Sequence, residues 1–122
     1  MACFIVPATG AVISHVCAKC IHKKSSSQPE NRIAFSTKLG WLTRLLGGGA
    51  FLLAFEHLWH GEVVPWFPFL TATENPEDTA EMLHEMATAG TAMLLLCVAV
   101  WGVMLAVVHH HETKAISAQE EK

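Results

Sequence analysis

The chain reads as an all-α integral membrane protein of three transmembrane helices, the second and third paired as an antiparallel hairpin. Three observations predict this. Apolar residues fall in blocks, at 45–55 (extended by Leu58 and Trp59), at 86–108, and more weakly at 2–21. The 86–108 run is long enough to cross a hydrocarbon core of about 30 Å. The charged residues then segregate between the blocks, as they do on the two sides of a bilayer. With 122 residues, 52% of them hydrophobic, the chain makes one domain at most.

The first block, residues 1–24, is expected to span the membrane or to lie along its interface. It carries Pro7, Ser14, His15 and Lys19. It makes a poor cleavable signal, because Lys19, Lys23 and Lys24 follow the apolar run instead of preceding it. Residues 25–37 form a basic loop whose 25–29 stretch, Ser-Ser-Ser-Gln-Pro, is a polar turn without apolar periodicity. The second helix is expected over 38–61, starting near Ser36 and stopping at Gly61. Gly47, Gly48 and Gly49 in its middle suit the close approach of a neighbouring membrane helix.

Residues 62–75 form an interfacial loop. Pro65 and Pro68 exclude a regular helix there, and Trp66, Phe67 and Phe69 suit a membrane boundary. The loop is expected to fold back over the helix ends. Asn75 then caps a third helix, with Pro76 at its first position and Glu77 and Asp78 complementing its dipole. That helix is expected over 76–110, followed by a tail at 111–122. Its small-residue side (Thr88, Ala92, Ala99, Gly102, Ala106) is expected to pack, with Trp101 pointing away.

Orientation follows from charge. Lys19, Lys23, Lys24, Arg32, Lys38 and Arg44 stand against Glu30 alone in the 19–44 region. Glu62, Glu74, Glu77, Asp78, Glu81 and Glu85 have no Lys or Arg among them. The positive-inside rule therefore places the basic 19–44 loop in the cytoplasm and the acidic 62–81 loop outside a cell inner membrane.

Chemistry concentrates at the outer ends of the second and third helices. Glu56, His57, His60 and Glu62 close one; Glu81, His84 and Glu85 open the other. Carboxylate oxygen with imidazole nitrogen suits zinc, iron or manganese, and Glu81-x-x-His84 has the spacing of helical di-metal sites. Glu56, His60, Glu81, His84 and Glu85 are expected to converge, with His57 and Glu62 at the margin. The bland alternative is a network of ion pairs that only braces the outer loop. A second, weaker metal candidate is His15, Cys17, Cys20 and His22, with His109, His110 and His111 as a further source of ligands. A lone CxxC is weak evidence, and small cysteines with histidines at a helix C-terminus explain the same residues.

No serine-nucleophile motif, phosphate loop or dinucleotide fingerprint is present. The basic loop is short and beside apolar segments, which fits anionic lipid better than nucleic acid. Three functional classes remain. One is a divalent-metal binding or ion- and proton-relaying protein. Another is an electron carrier with haem on two of His57, His60 and His84. The third is a non-catalytic accessory subunit. A di-metal oxidoreductase is less expected but stays open. So short a chain encloses no pore alone, so a homo-oligomer or a subunit of a membrane complex is expected, with lipid as the other partner.

Three stretches stand out together: Met1-Ala2-Cys3-Phe4-Ile5-Val6-Pro7, the run from Glu56-His57-Leu58-Trp59-His60-Gly61-Glu62 through Val63-Val64-Pro65-Trp66-Phe67-Pro68-Phe69-Leu70-Thr71-Ala72, and Ala80-Glu81-Met82-Leu83-His84-Glu85-Met86. Through these the chain resembles a group of small, uncharacterised membrane proteins of anaerobic bacteria and archaea. The resemblance implies an inner-membrane protein of about three helices and brings no activity, cofactor or catalytic residue.

Overall fold

A computed structural model describes residues 2–24 and 33–120; the 25–29 polar turn lies outside the described residues. It is all-helical. Helix α1 is Ile5–Lys24, α2 is Phe35–Trp59, α3 is Pro76–Glu85 and α4 is Thr91–Glu120. A π-turn at Met86–Gly90 joins α3 to α4, so the two run as one 45-residue rod.

Helix α1 tolerates Pro7 because the proline occupies the third helical position, where no intrahelical amide bond is due. Pro7 and Ser14 are its buried positions. The Ser14 and Thr43 hydroxyls share a 2.9 Å hydrogen bond, and the Cys3 Sγ and His57 Nε2 another of 2.9 Å. These two contacts fix α1 antiparallel to α2. They form the most extensively packed pair in the molecule. The expected hairpin of the second and third helices is present, but the first helix is the tighter partner.

Helix α4 packs on α2 through large side chains set against small ones. Met93 and Cys97 meet the space left by Gly49, Cys97 Sγ lies 3.6 Å from the Leu45 carbonyl, and Trp101 Nε1 donates to the Lys38 carbonyl at 2.7 Å. This reverses the face expected from sequence. Trp101 points into the bundle, and Thr88, Ala92, Ala99, Gly102 and Ala106 are exposed. The glycine on α2 supplies the gap, so α4 needs bulk there.

The rod also ends later than expected. It continues through 111–120, where Glu112 accepts from the Ile33 amide at 3.0 Å and pairs with Lys38 at 3.2 Å. Those two bonds hold the last turns against the start of α2. By length and composition α1 and the α3–α4 rod are apolar enough to cross a membrane. Helix α2, with Lys38, Arg44, Glu56 and three consecutive glycines, falls short of the same apolarity.

At the end where α1 begins, the loop folds back as the prolines imply. Val63 and Leu70 form an antiparallel bridge, and Val64 N donates to the Phe69 carbonyl at 2.9 Å. A one-turn 3-10 helix, Thr71–Glu74, follows. Ala2, Ala72 and Met82 are buried together there, with Phe4, Ile5, Leu70 and Met86 packed around them. This small core seals one end of the bundle and positions the acidic cluster.

Candidate metal centre

The site is built from how α2 stops and how α3 starts. Gly61 takes φ +73°, a left-handed conformation that L side chains rarely adopt. Its amide donates to the Leu58 carbonyl at 3.2 Å, and the Glu62 amide donates to the His57 carbonyl at 3.0 Å. That is a Schellman cap, and it folds Glu62 back beside His57. The Thr71 amide and hydroxyl each hold the Glu62 carbonyl at 3.2 Å, tying this turn to the returning loop. Replacing Gly61 with Ala should therefore cost about 1 kcal/mol or more of stability. It should also misplace Glu62, which thermal scanning and metal content together would register.

Helix α3 starts as its sequence dictates. Asn75 Oδ1 accepts from the Asp78 amide at 2.9 Å and Pro76 occupies the first turn. Glu85, half-buried, is its last residue, immediately before the π-turn. A wide turn leaves carbonyls without their usual amide. Here the Thr88 hydroxyl donates to the His84 carbonyl at 2.9 Å.

His57, Glu62 and Glu85 each bring one ligand atom to a common region, all within 4.8 Å of one another. They line a cavity of ≈ 350 Å3 together with Cys3, Leu53, Glu56, His60 and Ala89. His57 is buried, its ring edge-on to Phe4 with centroids 5.9 Å apart. Cys3 is 3% exposed and hydrogen-bonded to His57, and burial pushes its thiol above the ordinary range. No Lys or Arg lines the cavity among the described residues. Three carboxylates around an imidazole make it a place that draws cations. Nitrogen and two oxygens, with a thiol hydrogen-bonded to the imidazole, are ligand types that zinc, iron or manganese accept.

The centre is displaced from where the sequence put it. His57 and Glu62, expected at the margin, form it with Glu85. Glu56 and His60 are exposed residues on the cavity wall, and Glu81 and His84 are exposed and do not line it. Of the three histidines considered for haem, then, only His57 and His60 reach this cavity. The reasons are local: on α3 a step of about 100° per residue turns His84 away from Glu85, and at the end of α2 the Gly61 cap folds Glu62 back beside His57. Cys3 is the member that sequence reasoning missed. It looked isolated, yet three antiparallel helices bring residue 3 to the same end as residues 57 and 85.

The weaker metal candidate does not assemble. His15 and His22 line a separate cavity against α2, whereas Cys17 and Cys20 are exposed and outside it. Helical rotation sends the two cysteines to the other side of α1 from the two histidines. His109, His110 and His111 are exposed on α4. All four cysteines are free.

No family model, curated protein or solved structure matches the chain.

Proposed function

We propose that this is a small integral membrane protein that binds a divalent metal ion (zinc, iron or manganese) through His57, Glu62 and Glu85. The observation that carries the reading is the convergence of their three ligand atoms within 4.8 Å in a cavity free of cationic side chains among the described residues. Cys3 is the added ligand candidate, since a bound cation lowers a neighbouring thiol's pKa and converts it to thiolate.

Membrane insertion is supported by the outward-facing bulk of the two apolar helices. Val12, Ile13, Leu95, Leu96 and Val103 are all more than half exposed, which a water-soluble bundle of this size would not tolerate as a continuous surface. In this reading the cell inner membrane holds the chain with its acidic end outside. The exposed small-residue stripe of α4 supports a homo-oligomer or a place in a larger membrane complex.

The test is elemental analysis of the full chain, purified in mild detergent from its native host, with a visible spectrum of the same sample. A stoichiometric divalent metal is expected. An intense Soret band would move the assignment to haem, and a sample with neither would leave the cluster as a brace for the loop. Acidification should release the metal, because His57 must be neutral and the carboxylates ionised to act as ligands. Metal content that stays constant from neutral to acidic pH would count against this donor set.

A further inference from the structure

At the opposite end of the α1–α2 pair lies a second cavity, ≈ 420 Å3, that the metal reading does not use. Its wall carries two permanent cations, Lys19 and Arg44, with His15 and His22 from α1 and the Ser36 and Thr37 hydroxyls from α2. No carboxylate lines it among the described residues, and neither Lys19 nor Arg44 forms an ion pair with another described residue.

We propose that this cavity is a phosphate-binding site, taking the phosphate of an anionic lipid headgroup or a free phosphate. The donor inventory favours phosphate over a carboxylate. A guanidinium, an ammonium and two hydroxyls line one cavity from two helices, and a phosphate group has enough acceptor oxygens to engage several of them. Ser36 and Thr37 stand in the first turn of α2, whose cap residue Ala34 makes no side-chain cap bond. The room is real: a Cβ built on Gly40, in the cavity wall, meets nothing within 4 Å. Thr43, in the same wall, is bonded to Ser14 of α1. In the membrane reading this end is cytoplasmic and level with the headgroups, where basic pockets between helices hold anionic lipids. The phosphate chemistry itself needs neither the metal centre nor that orientation.

The full chain in neutral detergent should be titrated with dihexanoyl phosphatidic acid and, separately, with inorganic phosphate, by calorimetry. Saturable binding of at least one is expected. Lys19→Ala/Arg44→Ala should raise its Kd by at least about tenfold, as loss of two charge-assisted contacts requires. Gly40→Leu, which fills the cavity and leaves every charge in place, should weaken binding by a similar factor. Lys114→Ala, which removes one positive charge at an exposed position on α4, should bind as the parent does. Tight binding of the lipid alone identifies a headgroup site, and equal binding of inorganic phosphate a site for free phosphate. Absence of saturable binding to both, or binding unchanged in both cavity variants, would overturn the proposal.

Discussion

Replacing His57 with Ala should abolish stoichiometric metal binding, with affinity falling by more than about a hundredfold. Even the outer hydrogen-bond partners of metal ligands cost 10- to 100-fold when removed, by the usual order of magnitude, and a direct ligand costs more. Glu62→Gln and Glu85→Gln, which keep shape and remove charge, should each lower metal content sharply. His84→Ala and Glu77→Ala should leave it near the parent's, because both side chains are exposed outside the cavity. This pattern separates the folded site from the one expected by spacing alone, in which His84 was a principal ligand. Depletion by His84→Ala with retention in His57→Ala would refute the assignment. Because His57 is buried, helicity by circular dichroism should accompany each measurement.

The second large effect belongs to Gly90, at the end of the π-turn. A Cβ there would lie 2.7 Å from the Cys3 carbonyl oxygen and 2.9 Å from Val6 Cγ2. The nearer atom is backbone and cannot rotate aside. Gly90→Val should therefore push the start of α1 off the rod and destabilise the protein by about 1–3 kcal/mol, the usual range for overpacking. Gly102→Ala, where nothing lies within 4 Å, should be neutral or slightly stabilising. Thermal unfolding reads the difference. Maleimide labelling gives an independent readout, since Cys3 is buried in the parent and should react once α1 is displaced. Unchanged stability and unchanged Cys3 labelling in Gly90→Val would show that this contact is not made.

Much of the fold was legible in the sequence because its signals are local. Asn75-Pro76 started a helix, Gly61 ended one, and two prolines excluded a helix between them. Each is a short-range steric or hydrogen-bonding rule acting within a few residues. The inner face of α4 was not legible, because the small-residue rule says only that some helix approaches closely. Here the small residue is Gly49 on α2, and Met93, Cys97 and Trp101 are its complement. The site was legible in its chemistry and its end of the bundle, but not in its membership. Choosing His57 over His60 or His84 depends on the cap that folds Glu62 back beside His57, and on a first helix, whose course was left open, that brings Cys3 and Phe4 against it. Cys3 had one usable signal. If three helices alternate in direction, the chain start must return to the end that carries the Glu/His residues.

The wide turn at Met86–Gly90 also decides how the rod transmits force. An unbroken helix spreads strain over every bond of its ladder, whereas a joint concentrates compliance at one place. Here the joint adjoins Glu85, and the Thr88 hydroxyl, bonded to the His84 carbonyl, stands 3.5 Å from the Glu85 carbonyl as a second acceptor one residue along. Beyond it the 30 residues of α4 form an arm of about 45 Å at 1.5 Å per residue. A tilt of about 5° at the joint would then swing the far end by about 4 Å, on that same helix rise. Glu112, about 32 Å along that arm and so displaced by about 3 Å, is clasped by Ile33 and Lys38 at the start of α2. Movement of a single carboxylate at one end of the molecule thus has a lever with which to load a clasp at the other.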